Sequence, residues 1–218
     1  MSDSFPKSER NTLKRLPSRG AYDRESIYAV LDAGFLCHLG FVQNGQPFVI
    51  PTAYGRRGDT LFFHGSIKSR TMDALSEGIP VCVTVTHFDG LVLARSAFHH
   101  SMNYRSVLVF GQAVEISDEG EKNEALRLIS EQILRGRWDE VRLPTPNELK
   151  ATSVLKMTIE EASCKVRSGG PKDDQEDYAL PIWAGVVPAK VIYEAPETDT
   201  TGLPGLDIPP SVRGIGQQ

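Results

Sequence analysis

Two short segments gather side chains able to hold an anion. In the first, GDTLFFHGSIKSRTMDAL (58–75), a strand-like run closes at His64 and a helix-forming run follows within a few residues. Gly65, Ser66, Lys68, Ser69 and Arg70 stand at the join. A helix start carries N–H groups without intrahelical acceptors and a partial positive charge, which suits a phosphate. Lys68 and Arg70 add charge, and a guanidinium can fork onto two phosphate oxygens. A plain capped helix with two exposed cations is the other reading. In the second segment, HHSMNYRSVLVFGQAVE (99–115), Asn103, Tyr104, Arg105 and Ser106 cluster where a polar loop enters a long apolar strand. A guanidinium so close to a core strand needs an anionic partner, because an unpaired buried charge is costly. A bound anion and an acidic side chain both qualify.

Other reactive side chains are scattered. His99 and His100 are adjacent, so on a regular strand they point to opposite faces and do not chelate together. They stay open as proton donors, neighbours of a redox centre or ligands. His38 and His87 lie in strand-like runs and read as satisfied or surface histidines. Cys37, Cys82 and Cys164 are far apart and odd in number, without CxxC or Cys/His spacing, so no zinc site is expected and each reads as a free, buried thiol. The formal net charge of −4 argues against broad nucleic-acid binding. The basic residues Lys7, Arg10, Lys14, Arg15 and Arg19 fit either a solvated or packed arm or a polyanion contact. No apolar run is long enough to span a bilayer and no signal-peptide pattern opens the sequence, so a cytoplasmic protein is expected.

The elements that must position these groups are mostly strands. Residues 1–19 read as an extended arm. A short helix capped by Asp23 follows, with Ile27, Val30 and Leu31 as its apolar stripe and Gly34 as its stop. FLCHLGFVQ and FVIPTAY flank Asn44-Gly45, a strong hairpin signal, and the turn at 56–59 leads into TLFFHGS. Ser66 to Gly78 reads as a helix. VCVTVTHF is expected to turn at Asp89-Gly90 into LVLARSAF, and a long strand follows at 104–117 with Gly111 marking a bulge or close backbone approach. Asp118 caps an amphipathic helix carrying Leu126, Ile129, Ile133 and Leu134, and Thr145-Pro146-Asn147-Glu148 is a capping box. One strand is expected over about 154–166, a loop over 168–178, and strand-like pattern again over 181–194. Hairpin-sized connections favour antiparallel pairing, hence a closed or partly closed β-barrel with small helices at its ends.

In this order, Pro51-Thr-Ala-Tyr54, His64-Gly65-Ser66, Lys68-Ser69-Arg70, the stretch from Asp89 to His100, Asn103-Tyr-Arg-Ser106 and Trp183-Ala-Gly185 resemble the pyridoxamine 5′-phosphate oxidase-like split barrel. The nearest branch is that of the flavin-nucleotide-binding and nitroimidazole-resistance proteins. The resemblance implies a mainly β fold, an antiparallel six-stranded split barrel with short peripheral helices. The resemblance covers roughly residues 15–190 and implies a homodimer with FMN lodged between subunits; by composition, 20–194 reads as the core domain and the Pro- and Gly-rich stretch 195–218, low in apolar content, as an extended tail. Carried across, Lys68, Ser69 and Arg70 grip the phosphate, assisted by Tyr104, Arg105 and Ser106. His64, Gly65 and Ser66 lie near the ribityl chain or ring, and Trp183 approaches the isoalloxazine from the partner chain, although a tryptophan in an apolar strand also reads as core. The sequence departs from true pyridoxamine-phosphate oxidases: it has no C-terminal Arg-x-His element, which puts vitamin-B6 oxidation in doubt. The function expected is an FMN-dependent oxidoreductase on a small organic substrate, with NAD(P)H as reductant. A haem protein using His64 as axial ligand and a flavin carrier without turnover are the alternatives.

Overall fold

The computed structural model describes residues 3–215. Its elements, in chain order, begin with β1 (Gly20–Ala21), α1 (Arg24–Asp32), β2 (Leu36–Gln43), β3 (Gln46–Ala53) and β4 (Gly55–Arg57). They continue with β5 (Thr60–Ser66), α2 (Arg70–Ser76), β6 (Pro80–Leu93), β7 (Ser101–Glu115) and α3 (Glu119–Ile133). The last are α4 (Pro146–Ala151), β8 (Thr152–Thr158), β9 (Glu161–Arg167), β10 (Gly185–Pro188) and α5 (Pro210–Arg213). The chain divides into two compact units. One takes the residues up to Gly34 with Cys82–Phe110 and Glu160–Lys190, and the other takes Phe35–Val81, Gly111–Ile159 and the residues from Val191 onward.

In the first unit β9 pairs antiparallel with β1 and with β7 from Tyr104 to Phe110, and β10 pairs with β6 over Gly90–Leu93. Asp23 caps α1 by accepting the Ser26 N–H at 2.8 Å, and Ile27, Val30 and Leu31 are buried beneath it. His87 contacts the Val30 carbonyl at 2.9 Å through Nε2, and Gly34 lies so close that a Cβ there would meet the His87 ring at 2.7 Å. The N-terminal residues pack into this unit. Phe5 and Asn11 are buried, Arg24 sits over the Phe5 ring, and Arg10 donates to Glu161 at 2.9 and 3.0 Å. Lys7 lies over the Tyr22 ring, so the basic arm spends part of its charge on its own chain.

In the second unit β2 and β3 form the hairpin expected at Asn44-Gly45, both residues having positive φ (52° and 77°). β4 and β5 form a two-residue hairpin through Gly58, φ 56°, and Asp59. β8 pairs with β5 along its whole length and with the last residues of β7. Asp118 caps α3, which lays Ala125 and Ile129 on Phe62, Ile116 and Val154 to make this unit's core. The capping box at Thr145–Glu148 is formed as expected.

The architecture is mainly antiparallel β with few helices, but four expectations are corrected. Among the described residues there are ten strands, not six: β1, β4 and β10 are too short to leave a periodic signal, and the run expected as one strand over 154–166 divides at Ile159-Glu160 into β8 and β9. β6 passes straight through Asp89-Gly90. The turn signal is overridden because Gly90 faces β10 at a distance no side chain tolerates, an added Cβ meeting the Val187 carbonyl at 2.7 Å. α2 covers only seven residues of the 66–78 run. Over 181–194 only Gly185–Pro188 is strand.

Gly111 marks a close approach as expected: a Cβ there would meet the Thr158 carbonyl at 2.4 Å, and backbone cannot move aside as a flexible side chain would. Gly111→Ala is expected to cost about 1–3 kcal/mol of folding stability, read from the urea midpoint. An unchanged midpoint would show that β7 and β8 separate without penalty there.

Candidate functional site

β5 places the site. Its alternation puts Phe62 and His64 on one face and Leu61 and Phe63 on the other. α3 covers the Phe62 face, so His64 emerges beneath Leu126 of that helix, in register with Val154 of β8. His64 lines a cleft of about 400 Å³ whose other walls are Leu126, Trp138, Arg142, Pro144, Glu148 and Thr152. His64 Nδ1 is buried and has no hydrogen-bond partner. Burial pushes the imidazole below its usual pKa, which favours its neutral form. A neutral imidazole with an uncommitted nitrogen is a metal ligand or a proton acceptor.

Glu148 lines this cleft, and two further carboxylates brace the segment that carries Trp138. Glu131 accepts the N–H groups of Gly136 and Trp138 at 2.7 and 3.0 Å, which fixes the turn carrying Trp138. Glu148 takes both Nη atoms of Arg142, at 2.8 and 2.6 Å, and the Thr145 N–H at 2.8 Å. Arg142 chiefly, then the Thr145 N–H, holds the Glu148 carboxyl at about 2. Glu140 accepts the Ser211 N–H at 3.0 Å and the Ser211 hydroxyl.

The Ser66–Arg70 junction is a tight turn. Ser66 Oγ accepts the Lys68 N–H at 3.1 Å, the Ser66 carbonyl accepts the Ser69 N–H at 2.9 Å, and Ser69 caps α2. Arg70 lies over the Phe48 ring, 4.6 Å from its centroid. Among the described residues neither Lys68 nor Arg70 makes an ion pair, so both charges are available to a ligand. Gly65 is a packing position: a Cβ would meet Met72 of α2 at 2.9 Å.

In the first unit, Arg105 has an acidic side chain as its partner. Its Nε and Nη2 donate to both oxygens of Asp89 at 2.9–3.3 Å, and that fork holds the Asp89 carboxyl below its ordinary range. Tyr104 stands opposite Arg167 in the β7–β9 register, and Ser106 Oγ reaches the Lys165 carbonyl at 3.5 Å. Trp183 is 66% exposed, which removes the reading of it as a core residue, and Gly185 lies against its ring. His99 meets Asp174 at 3.2 Å, and His100 Nδ1 accepts the Ala94 N–H at 3.0 Å. The three thiols are free; burial pushes Cys37 up to about 12 and Cys164 to about 11. No cluster of three or more His, Cys, Asp or Glu side chains suited to a metal occurs among the described residues. No helix among them is long and apolar enough to cross a membrane.

A sequence profile of the pyridoxamine 5′-phosphate oxidase family matches residues 23–166. The chain belongs to this family. It is similar to the flavocytochrome Anf3 from Azotobacter vinelandii, with 44% identity over 94% of this chain and 96% of that one, TM-score 0.89. It is also similar to a FAD and haem binding protein from Mycobacterium smegmatis, with 39% identity over 90% of this chain and 96% of that one, TM-score 0.86. A candidate 5-nitroimidazole antibiotic resistance protein from Bacteroides thetaiotaomicron shares the fold at 23% identity over 67% of this chain and 86% of that one, TM-score 0.58. Among curated proteins no sequence matches.

Sequence reasoning found His64 and the Lys68–Arg70 turn but missed the cleft wall. Its signal was present in the Gly136-Arg-Trp138 turn and in Arg142, six residues before the capping-box glutamate. The depressed imidazole pKa fixes a sign: stability contributed by neutral His64 is full above about pH 6.5 and is lost as pH falls through the lower folded value, because the unfolded chain takes the proton first. With no cofactor bound, urea midpoints from pH 7 to 5 are expected to fall less steeply for His64→Leu than for the parent. Parallel profiles would place His64 in contact with water.

Proposed function

We propose that this chain binds a flavin nucleotide and a haem together and works as an electron-transferring oxidoreductase. The observation that carries the reading is His64, which lines a cleft beside Leu126, Trp138 and Pro144 and whose Nδ1 is buried and unpartnered, since leaving such an atom unsatisfied is costly without a ligand. The residues present fit a haem. His64 offers an imidazole, and Leu126, Trp138 and Pro144 offer apolar walls, while the charge of Arg142 is already met by Glu148. Lys68 and Arg70, charged and without carboxylate partners, fit a phosphate. Flavin and haem call on different side chains, so they cease to be rivals. The likeness to a flavocytochrome and to a FAD and haem binding protein supports the pair.

When bound, the flavin supplies two-electron and the haem one-electron chemistry, and the protein's part is to hold, orient and shield them. The β5–β8 register fixes the backbone at His64, Glu131 holds the backbone at Trp138, and Glu148 holds the Arg142 guanidinium. For the flavin, FMN follows from a single phosphate turn, and FAD from the likeness to the mycobacterial protein. A two-copy assembly is part of the proposal. Reduction by NAD(P)H separates an enzyme from a carrier.

Native protein is expected to show both flavin absorption and a Soret band, with mass spectrometry of the extract naming FMN or FAD. His64→Ala is expected to abolish the Soret band and keep the flavin. A colourless native protein, or a Soret band that survives in His64→Ala, would overturn the haem assignment. Arg70→Ala is expected to weaken flavin nucleotide about tenfold or more while leaving riboflavin affinity unchanged, a charge-assisted contact being worth roughly 1.5–3 kcal/mol. Equal weakening of both would put Arg70 away from the phosphate.

A further inference from the structure

The C-terminal segment has a composition at odds with its surroundings. Every residue from 190 through 207 is exposed, and none of them is in a helix or strand. Solvated tails are poor in β-branched and aromatic side chains. This one carries Val191, Ile192 and Tyr193 in a row, 57–85% exposed, and Leu203 and Leu206, 77% and 67% exposed. Nor is the far end loose. α5 follows, with Ser211 donating its N–H and hydroxyl to Glu140, and Arg213 Nε donating to the Ile208 carbonyl at 2.5 Å. Tyr193 and Pro196 face Ile208 and Val212 across a cleft of about 500 Å³. The segment is thus an anchored arm holding bare apolar side chains in water.

We propose that this arm lies on a second copy of this chain. Its five apolar side chains leave on the order of 600 Å² in water together, a large exposure for so short a segment. Two arms and the surfaces they cover amount to on the order of 2,000 Å², the size of a stable interface. A two-fold pair uses both arms equally, which a different partner would not require. Each copy also supplies an apolar face of the matching kind: on the β2–β3 hairpin Leu36, Val42 and Val49 are more than half exposed. Residues 191–212 contain no lysine or arginine and four acidic groups, Glu194, Glu197, Asp199 and Asp207, so covering the arm buries no cation. Because α5 ends the arm on Glu140, two residues from Trp138, the contact also steadies the wall of the His64 cleft. This inference rests on the two-copy reading above, and its test separates the two.

Sedimentation velocity on the full chain across a dilution series is expected to give a dimer. In the double variant Ile192→Asp, Leu203→Asp the dissociation constant is expected to rise at least tenfold, with an unchanged far-ultraviolet circular dichroism spectrum. Hydrogen exchange on the unsubstituted chain gives a second measure that needs no variant: 191–206 is expected to be protected above the dimer midpoint and to lose protection below it. A dimer whose midpoint the double variant leaves unchanged, or an arm equally exchanging on both sides of the midpoint, overturns the arm assignment and leaves the dimer standing. A full chain monomeric at every concentration overturns both.

Discussion

Keeping one nitrogen of His64 out of water without a partner is the constraint on which the rest of the second unit turns. An unsatisfied buried polar atom costs roughly 1–3 kcal/mol, and a ring free to rotate would turn it to solvent. The backbone that carries the ring is held: β8 pairs with β5 through His64, β4 pairs with it as far as Phe62, and α3 packs on Phe62 on the face that His64 shares. Packing that is ordinary two residues earlier, where Phe62 meets Ala125 and Ile129, therefore becomes chemically loaded at His64. A cofactor that accepts or coordinates that nitrogen turns the cost into binding energy.

The charged side chains of the two units, each taken by itself, are divided between structure and availability. Glu131 spends its oxygens on the Gly136 and Trp138 N–H groups, Glu140 on Ser211 and Arg137, and Glu148 on Arg142 and Thr145, and so they fix the turn and loop that carry Trp138 and Arg142. Arg105 is committed to Asp89, and Arg95 to Asp173 at 3.1 Å. Lys68 and Arg70 are exceptions among the cations considered as ligand contacts, and they sit on a turn whose hydroxyls and carbonyl already shape its backbone.

Much of this was legible in the residues themselves, because the signals that worked were local. Asn44-Gly45 had to turn, since both positions need positive φ. Asp23, Asp118 and Thr145 had to cap, since each places an oxygen three residues before an orphan N–H. The apolar runs had to be strands, and the spacing of His64 from Lys68 and Arg70 put an imidazole and two cations at one strand-to-turn junction. Family membership followed from the same order of motifs.

What the sequence could not decide were matters of pairing between distant segments. Asp89-Gly90 carries a turn signal as strong as that at Asn44, yet the strand runs on, because β10 arrives almost a hundred residues later and needs the space a side chain would fill. Arg105 looked equally ready for a phosphate or a carboxylate, and only folding brought Asp89 within reach. Trp138 and Arg142 gave no periodic signal at all; they became cleft walls when α3 and α4 set the loop between them opposite β5. Local chemistry is written in neighbouring residues and can be read there. Which group meets which across the sheet depends on register and on steric room, and those exist only once the chain has folded.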